Sequence, residues 1–217
     1  MDIDFYRSDY TLDDITDYLH EIVKNKYKNT DVLRIFEALD LARYAHRKQF
    51  RSDNVPFVIH PMRVALMLVH FDRNTTSKVF IAALLHDILE DTNVESSVIE
   101  EKFGKYVVKL VQSVTRLHKT EDLQKKQEAK RQNWEDIILG DHEVRAIKTC
   151  EDLDNMICWK TIPLQNPIQN KIPRWLKEAQ EMSLPLAYAT NLQVYKIMQQ
   201  ECLNYVAQNY GTQPITI

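Results

Sequence analysis

Glycine is nearly missing from this chain, at 3 in 217 residues. Few turns can then use the left-handed backbone that glycine adopts freely. That weighs against a sandwich of many tight turns and favours helices joined by short polar loops. Cysteine is also scarce. Cys150, Cys158 and Cys202 are odd in number and share no metal-type spacing, so the expectation is reduced thiols in a cytoplasmic protein. There is no excess of positive charge: the net charge is −3, and no global field draws the protein to nucleic acid or to an acidic membrane. An anionic ligand would need a local basic patch. No apolar run approaches a membrane span. Met1-Asp2-Ile3-Asp4-Phe5 lacks the basic and apolar regions of a signal peptide. No internal repeat or low-complexity segment is present.

What is present is helical periodicity. A hydrophobic content of 44% suffices for a core, and the length fits one domain spanning residues 1–217. Thr11-Leu12-Asp13-Asp14 resembles a helix cap with an acidic first turn, opening a helix of about 15 residues. Val32, Leu33, Phe36, Leu39, Ala42 and Ala45 recur at helical spacing. Arg51 to Pro56 reads as a loop, and His60-Pro61 opens a helix running to about His70. Thr75-Thr76-Ser77 caps the next helix, and further helices are expected at about 95–103, 104–117, 122–139, 141–158, 173–182 and 184–208. The 122–139 segment reads as a solvated face. The tail after about Leu186 is amphipathic enough to dock on the core or on a second subunit, giving a homo-oligomer. The class is all-α, with about nine to ten helices.

Chemistry concentrates in His86-Asp87-Ile88-Leu89-Glu90-Asp91, directly after the apolar run Val79 to Leu85. Buried ionisable groups are costly unless paired or bound to metal. On one continuous helix, His86 and Glu90 would share a face, as would Asp87 and Asp91, the two pairs about 100° apart. One pair could bind a metal while the other positions a water. An adjacent His-Asp pair suits a divalent transition metal. Taken alone, the segment reads as a core histidine before a solvated helix end. Upstream lies His60. Downstream, Glu151 and Asn155 are four apart, beside a stripe of Ile147, Cys150, Leu153 and Met156. Arg43, Arg47, Lys48, Arg51 and Arg63 form a local basic cluster.

Several ordered motifs carry a resemblance. Ala45-His46, Gln49-Phe50-Arg51 and Pro56-Phe57-Val58-Ile59-His60-Pro61 resemble the first motif of RelA/SpoT-type alarmone hydrolases, a branch of the HD-domain metal phosphohydrolases. Ala82 to Thr92 is similar to the second motif almost letter for letter. Phe103-Gly104 through Val114-Thr115 is similar to the next segment, and Lys148 to Asn155 to the fourth. The motifs span about residues 38–158. Helices at 11–30 and 173–208 would pack on them.

The resemblance implies a divalent ion, usually manganese, held by His60, His86, Asp87 and Glu151. It implies Glu90 and Asp91 at the attacking water, Arg51 over the nucleotide, and Asn155 at the ribose or base. Lys48 from the basic cluster and Lys171 are further candidates for substrate binding, Lys171 at the phosphate end. The implied reaction is hydrolysis of the 3′-diphosphate of ppGpp or pppGpp to GDP or GTP and pyrophosphate, by a stand-alone domain without the synthetase half of long relatives. The metal would lower the pKa of water and polarise a phosphoryl oxygen.

Three departures stand out. Glu151 occupies the position of the family's aspartate, with Asp152 as a rival ligand one residue on. Asp152 also replaces a basic residue. The first-motif loop lacks its usual glycine, and Ser52 follows Arg51 in place of a basic residue. These motivate two alternatives: an HD phosphohydrolase for another nucleotide, and a nucleotide-binding module without turnover.

Overall fold

The computed structural model describes residues 10–115, 122–163 and 165–210. Twelve α-helical segments follow in chain order: α1 (Leu12–Lys26), α2 (Asn29–Ala45), α3 (Ile59–Phe71), α4 (Ser77–Leu84), α5 (Ile88–Asp91), α6 (Ser96–Phe103), α7 (Lys105–Val114), α8 (Leu123–Leu139), α9 (His142–Cys158), α10 (Ile172–Glu178), α11 (Leu184–Thr190) and α12 (Leu192–Tyr210). Among the described residues no strand forms, so the all-α expectation holds. Residues 116–117 of the expected 104–117 helix, and the Met1–Phe5 segment, lie outside the described residues.

Local chemistry sets the helix ends. Thr11 and Asp14 cap α1 reciprocally: the Asp14 amide donates to Thr11 Oγ1 at 3.2 Å and the Thr11 amide to the Asp14 carboxylate at 2.8 Å. Thr76 Oγ1 accepts from the Val79 amide and starts α4. Gly104, between α6 and α7, holds φ +88°, a conformation that only glycine adopts cheaply. The Arg51–Pro56 loop makes its tight reversal without glycine. Asn54 takes φ 65°, which asparagine tolerates, while the Arg51 amide donates to the Val55 carbonyl at 2.9 Å. A single bridge pairs Phe50 with Pro56 and fixes where Arg51 emerges.

α3, α4 and α9 form the centre. α3 packs against α9, α4 and α1; α4 packs against α2 and α7; α9 also receives α7, α8, α11 and α12. α3 is buried from Ile59 to Leu68 apart from half-buried Arg63, and α4 from Val79 to Leu84. Each large side chain there contributes about 1.5–3 kcal/mol on burial.

Two expected helices differ from the reading above. The apolar run does not continue through His86 as one helix: α4 ends at Leu84, and Leu85-His86-Asp87 form a turn before the single turn of α5. The Leu85 amide is accordingly shared between the Ile81 and Ala82 carbonyls, and His86 and Ile88 bond back three residues, to Ala83 and Leu85. The helix expected to break near residue 183 instead runs on. Pro185 lacks the amide a regular helix needs and its ring crowds the preceding turn. The chain widens into a π turn at Ala179–Ser183, then breaks at Asn191.

Candidate metal centre and adjoining cavity

The central helices bring His60, from the first turn of α3, to His86 and Asp87 in the turn after α4. His60 Nε2 and His86 Nε2 lie 3.2 Å apart, and Asp87 Oδ2 lies 3.5 Å from the first and 3.1 Å from the second. Both imidazoles are buried and Asp87 is half-buried. His86 Nδ1 is 2.8 Å from the Ala83 carbonyl, which can only accept, so it carries the proton. His60 Nδ1 is 2.6 Å from the Asp154 carboxylate, so it also carries the proton. With Nδ1 protonated, each ring turns its Nε2, together with a carboxylate oxygen, toward one point, where a metal would replace the proton that Asp87 favours on His86.

That convergence tests whether the residues fit an ion. Three lone pairs so close repel unless a cation or proton lies among them. Metal–nitrogen bonds of about 2.0–2.1 Å put neighbouring ligand atoms roughly 3.0–3.5 Å apart, which is the spacing found. The electrostatics agree. Burial pulls His86 down, but Asp87 outweighs it and raises the imidazole to about 9. Burial and Arg51 bring His60 down to about 4. Burial raises the Asp87 carboxyl, but His86 overcomes this and leaves it well below the usual range. The donor set fits a divalent ion.

Glu151, on α9, lies close enough to feel both His86 and Asp87. Its Oε1 accepts from Lys148 Nζ at 2.6 Å. Burial raises its carboxyl despite Lys148. Asp152 is held elsewhere: Ser183 Oγ donates to it at 2.6 Å and Lys148 Nζ at 3.0 Å. Among the described residues, the compact cluster comprises His60, His86 and Asp87. Glu90 is half-buried on α5, and Asp91 is exposed with its carbonyl accepting from Gln49.

A cavity of about 480 Å³ adjoins this centre. Arg51, Lys148, Glu151 and Asn155 line its polar side; Phe50, Phe57, Trp134, Trp159 and Trp175 line much of the rest. Arg51 Nη2 donates to Asn155 Oδ1 at 3.0 Å, so these two sequence candidates meet. Lys48 and Lys171 are exposed and outside the lining. Trp134 and Lys130 line it from α8, whose sequence reads as a solvated face.

The sequence reading missed Asp154. It is fully buried, and receives Arg63 Nε at 2.6 Å and Nη2 at 3.2 Å besides His60. Burial raises its carboxyl, but Arg63 and His60 outweigh that and hold it well below the usual range. The signal was a charged residue in register with Ile147, Cys150 and Ile157 on the apolar face of α9. His46 belongs to the first motif. It is buried, stacks on Phe57 with centroids 4.7 Å apart, and its Nε2 has no hydrogen-bond partner among the described residues.

The fold is an all-α one with paired histidines and an adjacent aspartate, a cluster that could hold a metal ion, at the junction of its central helices. The HD domain family model matches residues 38–179, and the chain belongs to that family. The chain is 32% identical over 168 residues to guanosine-3′,5′-bis(diphosphate) 3′-pyrophosphohydrolase of Borreliella burgdorferi, covering 76% of this chain and 24% of that protein. It is 32% identical over 173 residues to the bifunctional (p)ppGpp synthase/hydrolase SpoT of Escherichia coli, covering 78% and 24%. The chain thus spans about a quarter of the length of these curated relatives. The structure of a metazoan ortholog of SpoT that hydrolyzes ppGpp superposes with a TM-score of 0.70 at 27% identity, covering 82% of this chain and 96% of that one. No helix among the described residues is long and apolar enough to cross a membrane.

Proposed function

We propose that this chain is a manganese-dependent hydrolase that removes the 3′-diphosphate of ppGpp or pppGpp as pyrophosphate. The observation that carries the reading is the convergence of His60 Nε2, His86 Nε2 and Asp87 Oδ2 beside an aromatic cavity. The similarity to ppGpp hydrolases supports the choice of substrate. His60, His86, Asp87 and Glu151 would hold the ion. When bound, it supplies Lewis acidity at a phosphoryl oxygen and a more acidic water. Asp152 is the weaker fourth ligand because Ser183 engages it, whereas Lys148 is shared by both carboxylates.

The chain's own residues do the rest. Glu90, with Asp91 beside it, takes a proton from the attacking water. Arg51 faces the nucleotide from the Phe50–Pro56 loop, and Asn155, bonded to it, fixes ribose or base. Trp134, Trp159 and Trp175 offer π faces for the guanine. Lys148, shared between Glu151 and Asp152, sits where phosphate negative charge would compete for it.

One observation favours a second reading, an HD hydrolase for a less anionic nucleotide. Each cation lining the cavity already faces a carboxylate: Arg51 at 3.9 Å from Asp154, Lys130 at 2.8 Å from Glu178, and Lys148 at 2.6 Å from Glu151. Incubation of the manganese-loaded protein with ppGpp, pppGpp and a panel of nucleotides, followed by chromatography of products, separates the two. Release of pyrophosphate and GDP from ppGpp is expected. Turnover of another nucleotide with ppGpp left intact overturns the first reading and supports the second.

A further inference from the structure

We propose that Asp154 is a positioning residue that sets the tautomer and orientation of His60 for metal binding, with Arg63 holding Asp154 in place. The inference rests on the metal-site reading above. A carboxylate only accepts hydrogen bonds, so the 2.6 Å contact from His60 Nδ1 to Asp154 Oδ2 puts the imidazole proton on Nδ1. That leaves the Nε2 lone pair aimed at His86 Nε2 and Asp87 Oδ2. The two histidines reach the same tautomer by different means. His86 donates to a neutral backbone carbonyl, that of Ala83. His60 donates to a full negative charge, which makes its Nε2 the stronger donor toward a metal.

The placement of Asp154 is costly unless it is used. Its side chain is 0% exposed, on the apolar face of α9. Arg63, one turn along α3 from His60, meets it through two nitrogens at 2.6 and 3.2 Å. Arg63 Nη2 also lies 2.9 Å from Cys158 Sγ, so that nitrogen meets two partners on α9. Arg51 Nη1 approaches Asp154 Oδ2 at 3.9 Å from the nucleotide side of the cavity. An ion pair serving only to tie α3 to α9 would need Arg63 and Asp154 alone. The short bond to the ligand histidine is the extra feature, and it points to the metal.

The test compares the wild-type chain with Asp154→Asn and with the double variant Asp154→Asn/Arg63→Met, which removes the Arg63 charge together with its partner while Arg51 keeps its bond to Asn155. Two readouts are taken. Long-range ¹H–¹⁵N correlation of the metal-free protein gives the His60 tautomer: Nδ1–H is expected in the wild type, and a mixed or Nε2–H signal in both variants. Titration with Mn²⁺ gives affinity, expected to fall roughly 10–100-fold in both variants, as for other hydrogen-bond partners of ligating histidines. A double variant that folds and binds Mn²⁺ as tightly as the wild type would make Asp154 an interhelical ion pair and overturn the proposal. So would a wild-type His60 protonated at Nε2, or a wild type that binds no Mn²⁺. Neither readout uses substrate, so a chain that binds Mn²⁺ yet leaves ppGpp intact refutes the hydrolase reading and not this one.

Discussion

Removing His86 should abolish the stabilisation that a bound ion gives the fold, and the size of the loss can be worked out. An ion present at 100 times its dissociation constant stabilises the native state by about 2.7 kcal/mol. Unfolding entropy near the midpoint is about 2.1 cal/mol/K per residue, or about 0.46 kcal/mol/K for 217 residues. The ion should therefore raise Tm by about 6 °C. His86 supplies one of three ligand atoms within 3.1–3.5 Å of each other. With His86→Ala, even a ~100-fold loss of affinity leaves about 0.4 kcal/mol, a shift of about 1 °C. The assay is calorimetry or dye-monitored melting of each protein in chelator and in Mn²⁺. Each variant is its own reference, so the packing lost against the His60 ring, 5.0 Å away, cancels. A His86→Ala protein that keeps the full metal-dependent shift would refute the assignment of the centre.

Glu90→Gln should keep the metal-dependent Tm shift while kcat falls about 10²–10⁴-fold, read by melting and by steady-state kinetics on one preparation. Full retention of rate removes Glu90 from the water. Trp175→Ala takes away a half-buried cavity wall stacked on Trp159 and should raise KM about 5–150-fold, from about 1–3 kcal/mol of base stacking, with the helical circular dichroism unchanged. Gly104→Ala should destabilise by about 1–3 kcal/mol in urea melts, since nothing lies within 4 Å of the added carbon and the cost is that of φ +88° alone.

Much of the fold was legible because it depends on local periodicity. The cap at Thr11, the apolar stripe of α2 and the boundaries of α6 and α9 follow from residues within a few positions of one another. What was not legible depends on breaks in that periodicity. The sequence from Val79 to Asp91 keeps a helical pattern, yet the chain leaves α4 at Leu84 and turns through His86 and Asp87. That turn brings side chains that a continuous helix would separate by about 100° onto one point. The cavity wall was hidden for another reason. Trp134 and Lys130 lie on a helix rich in charge, and nothing local says that its few apolar positions face a cleft. Lys48 shows the converse: it is close in sequence to Arg51, yet it is exposed and lies outside the cavity lining.

The three carboxylates of α9 show why the fourth ligand could not be ranked from the chain alone. Glu151, Asp152 and Asp154 are nearly adjacent, and any of them could approach a metal from a helix of unknown rotation. Their partners come from elsewhere in the fold. Ser183 reaches Asp152 from the π turn that Pro185 imposes, and Arg63 and His60 reach Asp154 from α3. Glu151 shares Lys148 with Asp152 and is half-buried near Asp87, so it is short of positive charge. The cluster of His60, His86 and Asp87 calls for positive charge as well, because its three ligand atoms meet within 3.1–3.5 Å. A single divalent ion relieves both deficits at once. That shared need, rather than the identity of the residue at position 151, is the physical argument for glutamate in place of aspartate at the proposed centre.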